Sequence, residues 1–142
     1  MKYWLMILPS LAGYTDRSIA LSKTIHNEVL QLERSSCVIT GGVGFTGEDN
    51  PTAAAYRKLF RIAPDSVWVR LSYSEKLVLR MYAFIALLNK NSSELDLVEG
   101  RLKTDTGVVC EISDDITETN SIGNIVSAVM EVKRRQHGSQ KH

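Results

Sequence analysis

The glycine-rich stretch of this chain is the segment whose residue types could contact a phosphate. It reads Gly42-Val43-Gly44-Phe45-Thr46-Gly47 and follows the strand-like run Cys37–Thr40. The spacing matches G-x-G-x-x-G, in which glycines let the backbone approach a pyrophosphate, but there the third glycine lies in the first turn of the helix. Here Glu48-Asp49 separate Gly47 from a helix that Asn50 and Pro51 mark, and two carboxylates would repel a pyrophosphate. We interpret the segment as a structural loop, with nucleotide binding as the alternative.

The two cysteines, Cys37 and Cys110, could carry redox or metal chemistry. They form no C-x-x-C pair, and no histidine lies at zinc-ligand spacing from either. They can form one disulfide if the protein is exported, because disulfides persist in oxidising compartments. We favour two buried thiols over the disulfide.

No group of residues has the spacing of a catalytic or metal site. The histidines are scattered along the chain, at His26, His137 and His142. The acidic segment Ser113–Glu118 lacks the regular offsets of a calcium-binding loop. We therefore predict no catalytic residue, no cofactor-binding residue and no metal ligand, and thus a protein that is not an enzyme. The alternative is a small enzyme or nucleotide-binding protein that uses the Gly42–Gly47 loop.

The overall charge argues against an obligate nucleic-acid partner. The 142 residues include 17 basic and 16 acidic side chains, for a net charge of +1, whereas nucleic-acid-binding domains usually show a marked basic excess. Basic residues gather at Lys133-Arg134-Arg135 and Lys141. We interpret this short basic tail as a solvated helix terminus that complements the helix dipole.

Residues 1–12 have the layout of an export signal. Lys2 supplies the charge, Tyr3–Leu8 a short apolar core, and Ser10-Leu11-Ala12 a small-x-small cleavage site. The alternative is an N-terminal apolar segment packed on the domain. The first interpretation places the protein in the periplasm or outside the cell, the second in the cytoplasm. Residues 13–142 are predicted to form a single helical domain.

The most apolar part of the chain is predicted to be a central buried helix at about residues 74–89. Eleven of the twelve residues in Leu77–Leu88 are apolar, and Arg80 is the exception. A helix that is apolar on all sides is buried on all sides, and this one is shorter than the roughly 20 residues of a membrane span. Ser72 and Glu75 fit a capping box at its start.

Other segments also have helical periodicity or helix-capping residues, so the sequence predicts an all-α protein. The expected helices are Thr15–Arg34, Pro51–Ala63, a short one at Val67–Leu71, one from Ser92 or Ser93 to Leu102, and one after Asn120 or Ser121. The alternation in Val67–Leu71 would also allow a strand. The least helical part of the C-terminal half is Val108–Ile112 with the polar residues after it.

Three segments together resemble small bacterial HEAT-like domain proteins whose activity is not established. The most specific is the R-x-Y-A-F-x-A-L core of Leu79–Leu87, which resembles the second helix of a HEAT-like repeat; the others are Gly42–Gly47 before the helix at Pro51, and Leu102–Asp105 leading to Val109-Cys110. The resemblance implies a HEAT-like stack of antiparallel helix pairs around the central helix. Such stacks create extended surfaces that bind other proteins.

Within this resemblance, Arg80 and Tyr82 would be structural. Arg80 would satisfy carbonyl groups or pair with an acid such as Asp105, and Tyr82 would lie in the core. Trp68 is the candidate protein interface, because it lies on a short segment and tryptophan is enriched at binding hot spots; the alternative is that it packs onto the central helix. The function expected from these features is a non-catalytic module that binds another protein, of an immunity or adaptor type.

Overall fold

The computed structural model describes residues 8–39, 51–113 and 116–139, with side chains described in 21–39, 51–112 and 116–139. Within these residues the chain forms six helices and three strands. In chain order they are α1 (Leu8–Glu33), β1 (Cys37–Ile39), α2 (Pro51–Ile62), α3 (Asp65–Leu71), α4 (Leu77–Asn89), α5 (Leu95–Leu102), β2 (Val108–Ser113), β3 (Ile116–Ser121) and α6 (Ile122–Ser139). No helix in the described ranges is long and apolar enough to span a membrane.

Helix α4 is the centre of the structure, as its composition predicts. It contacts α1, α3, α5 and α6, and also β1 and β2. Its buried side chains point in all directions: Leu79, Met81, Tyr82, Ala83, Phe84, Ala86 and Leu87. Apolar contacts on every side explain why this helix needs no polar face.

The capping box predicted at Ser72 and Glu75 is wrong. Helix α4 begins at Leu77 with Lys76 as the N-cap, and no side chain caps it. Ser72 instead ends α3: its backbone N–H donates to the Trp68 carbonyl at 3.0 Å, and its hydroxyl donates to a carbonyl of the same helix. The local hydrogen bonds of Ser72 therefore stabilise the C-terminal end of α3 and do not cap the N-terminus of α4.

The prediction of an all-α fold is wrong in one respect, because the mostly helical structure also contains a small sheet. The strand order is β1-β2-β3, with β1 parallel to β2 and β2 antiparallel to β3. Strand β1, which has three residues, lies within the run Cys37–Thr40 that the sequence predicts to be strand-like. Its partner lies far along the chain, so local patterns could not reveal the pairing.

The prediction of two buried thiols is also wrong. Cys37 and Cys110 stand opposite each other in the parallel pair of β1 and β2, with their Cα atoms 4.5 Å apart, and form a disulfide. The bond joins two strands separated by 73 positions. Both cysteines are only partly buried.

The remaining helices follow the sequence pattern closely. Helices α2 and α5 match their predicted ranges, and Val67–Leu71 belongs to a helix rather than a strand. The Ser121 hydroxyl accepts the N–H of Asn124 at 3.3 Å, as expected of a residue that caps α6. Helix α1 already begins at Leu8, whereas the predicted start is Thr15. The export hypothesis for residues 1–12 depends partly on residues 1–7, which lie outside the described ranges.

Candidate protein interface

Trp68, the candidate interface residue, does not reach the surface. Its side chain is fully buried, and its ring lies 5.9 Å from that of Tyr56 between centroids. Helix α3, which carries it, packs against α4. Trp68 therefore packs in the core against the central helix, as the alternative interpretation describes.

Arg80 makes both kinds of contact that the HEAT-like resemblance implies. Its Nη1 lies 2.9 Å from a carboxylate oxygen of Asp105, and its Nε donates to the Ser74 carbonyl at 2.6 Å. Asp105 in turn accepts the N–H of Gly107 at 2.8 Å. The guanidinium thus joins the central helix to the turn before β2 and to the loop before α4.

Replacing Arg80 with leucine is expected to lower the free energy of unfolding by about 1–3 kcal/mol, because Asp105 and the Ser74 carbonyl lose a donor. Urea unfolding of the purified variant measures this change. Arg135→Leu is the matched control, since both side chains of the pair of Arg135 with Glu131 are more than 60% exposed and the pair should contribute little. An unchanged stability of the Arg80→Leu protein together with lost partner binding would show that Arg80 is a binding residue instead.

Tyr82 lies in the core, where the sequence places it. It is 1% exposed, and its hydroxyl accepts the backbone N–H of Ile39 at 3.3 Å. Burial raises the pKa of this hydroxyl above its ordinary value, and the hydrogen bond with Ile39 partly opposes that shift. Tyr82 therefore remains neutral and helps to hold β1 against α4.

The residue that does reach the surface near α3 is Tyr73, in the loop between α3 and α4. Its side chain is 60% exposed. Two arginines from different helices bind the carbonyls on either side of it: Arg101 Nη1 donates to Ser72 O at 2.7 Å, and Arg80 Nε donates to Ser74 O. The backbone around Tyr73 is therefore fixed from both sides.

The ring of Tyr73 is also supported directly. The Arg101 guanidinium carbon lies 3.5 Å from the ring centroid, in cation–π geometry. A second nitrogen of Arg101 donates to the hydroxyl of Ser72, which is completely buried. These contacts fix the guanidinium of Arg101, on which the exposed ring of Tyr73 stacks.

An exposed leucine on the same helix is a neighbour of Arg101. Leu97 is 61% exposed and lies one helical turn before Arg101 on α5, a spacing at which side chains are neighbours. We call Tyr73, Leu97 and Arg101 the Tyr73 surface. Sequence reasoning missed it; the available signals were a tyrosine between two serines in a loop and the four-residue spacing of Leu97 and Arg101.

The other predicted sites receive no support from the described residues. The Gly42–Gly47 loop lies outside the described ranges, so nucleotide binding there stays a hypothesis. Where side chains are described, no group of three or more histidine, cysteine or acidic residues could hold a metal ion.

No protein-family model matches this chain, and no curated protein or solved structure matches it either. The assignment of a site therefore depends on the geometry of the chain's own residues.

Proposed function

We propose that this protein is a non-catalytic helical module that binds another protein through the Tyr73 surface. The observation that carries the proposal is the exposed ring of Tyr73 on a fixed backbone. The carbonyl groups on either side of it, those of Ser72 and Ser74, each accept a hydrogen bond from an arginine. A large aromatic side chain that is both exposed and fixed is typical of a binding hot spot.

The energetic reason is the small entropic cost of binding. Association normally requires mobile side chains and loops to become ordered, at about 0.5–1.5 kcal/mol for each flexible side chain. Tyr73 has few rotatable bonds, and its backbone and ring are already held by Arg80 and Arg101. Burial of the ring against a partner would therefore add stabilisation with little ordering cost.

The groups that the Tyr73 surface exposes indicate which groups a complementary partner surface should contain. Two nitrogens of Arg101 already donate to Ser72, so the surface presents mainly the tyrosine ring, its hydroxyl and the Leu97 side chain. We expect the partner to present an apolar pocket for the ring, with a hydrogen-bond acceptor for the hydroxyl. With a net charge of +1, long-range electrostatic attraction should contribute little.

We further propose that the helices form a HEAT-like stack and that the protein is exported. A HEAT-like stack is supported by the packing of consecutive helices on one another: α1 on α2, α3 on α4, and α4 on α5. Export is supported by the Cys37–Cys110 disulfide, because such bonds persist mainly in oxidising compartments.

Photo-crosslinking in the native host tests the proposal. The photoreactive residue p-benzoylphenylalanine replaces Tyr73 in one strain and Val132 in another. Val132 on α6 is the matched control, an apolar side chain of similar exposure, at 54%. We expect irradiation to yield a discrete crosslinked species of higher mass from position 73, containing one other protein, and no such species from position 132.

Two results would contradict the proposal. Equal crosslinking from both positions would show that position 73 is not distinguished from the rest of the surface. A product containing only two copies of this chain would show self-association rather than a partner protein.

A further inference from the structure

A second surface feature is a groove between α2 and the C-terminal end of α4. Its volume is about 470 Å³. The described residues that line it are Ala54, Tyr56, Arg57, Phe60, Arg61 and Asn89. It lies at the opposite end of α4 from the Tyr73 surface, about 20 Å away for a helix of 13 residues at 1.5 Å per residue. The two surfaces are therefore separate sites.

The floor of the groove is aromatic and held by the core. The ring of Tyr56 lies 6.0 Å from Phe60 and 5.7 Å from Tyr82 between centroids. Its hydroxyl accepts a hydrogen bond from the side-chain amide of Asn89 at 3.3 Å, and burial raises its pKa to about 12. The hydroxyl is thus neutral, and the floor is fixed and largely apolar.

The groove carries positive charge. Arg57 and Arg61 are one helical turn apart on α2, so their side chains are neighbours. Arg61 is exposed and has no hydrogen-bond or ion-pair partner among the residues described. No acidic residue is among the described residues that line the groove.

Neighbouring lysines are already engaged elsewhere. Lys58 pairs with Glu28 of α1 at 3.2 Å. Lys90 donates to the Ala63 carbonyl at 2.8 Å and lies 3.4 Å from a carboxylate oxygen of Asp65. Lys90 Nζ also lies 5.6 Å from the centroid of the Phe60 ring. Among the described residues that line the groove, Arg61 is therefore the cation whose guanidinium is open to a ligand.

We infer that this groove binds an acidic segment of another protein. Arginine matches the geometry of a carboxylate with two parallel hydrogen bonds, and the absence of an acidic side chain from the described part of the lining favours a negatively charged occupant. The aromatic floor takes an apolar side chain of the same segment. The site is independent of the Tyr73 surface, so either can exist without the other.

The test uses three fluorescent heptapeptides that share a central phenylalanine and are otherwise all glutamate, all lysine or all serine. Anisotropy titrations measure their binding to the full chain. The glutamate peptide should bind saturably and the other two should not. Arg61→Gln should weaken this binding about tenfold, the effect of losing one charge-assisted interaction.

Two variants show whether binding occurs in the groove. Arg70→Gln makes the same change in net charge at an exposed arginine on α3, outside the groove, and should leave the affinity within about twofold of wild type. Ala54→Trp fills the groove from an exposed position without changing the charge, and should abolish binding.

Several outcomes would overturn the inference. They are absence of saturable binding by the glutamate peptide, equal losses in Arg61→Gln and Arg70→Gln, or unchanged binding in Ala54→Trp. Equal competition by oligothymidylate would show a general polyanion site. Sedimentation that reveals a dimer disrupted by Arg61→Gln would show that a second copy of this chain occupies the groove. None of these measurements involves Tyr73, so they leave the proposed function untouched.

Discussion

Removing the disulfide between Cys37 and Cys110 is expected to lower the free energy of unfolding by about 4 kcal/mol, the chain-entropy value for a closed loop of this length. The bond closes a separation of 73 positions, so it removes many conformations from the unfolded chain. It also holds β1, which has only three residues, beside β2. Equilibrium urea unfolding of the Cys37→Ser/Cys110→Ser variant measures the change.

Reduction of the wild-type protein provides the control. Dithiothreitol should move the wild-type unfolding midpoint to that of the double-serine variant and leave the variant itself unchanged. If the native protein reacts with maleimide at both cysteines before reduction, the disulfide is absent and this account of β1 is wrong.

Replacing Gly123 with alanine should cost about 3 kcal/mol, in the upper part of the range for forcing an extra group into a packed site. A Cβ at this position would lie 2.6 Å from the Lys103 carbonyl oxygen and 2.9 Å from that of Asp105. Both contacts are with backbone, which cannot rotate away. The start of α6 would have to move, and the hydrogen bond from Gly123 N–H to Asp105 O at 2.9 Å would be lost.

Gly100→Ala is the matched control for this variant. Gly100 lies within α5, and a Cβ there would meet no atom within 4 Å. Alanine should therefore stabilise the protein by about 0.5–1 kcal/mol through its higher helix propensity. Thermal unfolding of both variants measures the contrast; equal midpoints would show that α6 does not pack on the 103–105 turn as described.

The parts of the fold that local patterns determine were predictable. Helix α4 was evident from its apolar run, and α2 from Pro51 and the spacing of its apolar residues. For these two helices the evidence lay within a few residues of the element concerned. The contacts of Arg80 with a carbonyl group and with Asp105 agree with what the HEAT-like resemblance implies for this residue.

The parts that depend on distant residues were not predictable. The run that becomes β1 is strand-like in the sequence, but its pairing with β2, far along the chain, was not predictable. The same pairing brings the two cysteines together. Trp68 and Tyr73 illustrate the same limit: both are aromatic and lie in or next to one short helix, but only the packing of α3 on α4 decides which of them is buried.

The affinity of the purified partner identified by crosslinking tests the central claim most directly. Isothermal titration should show that Tyr73→Ala weakens binding by about 2 kcal/mol, or roughly 30-fold, as expected for a hot-spot tyrosine. Val132→Ala should bind within about twofold of wild type, and both variants should keep the wild-type circular dichroism spectrum. Wild-type affinity in a folded Tyr73→Ala protein would contradict the assignment of this surface to partner binding.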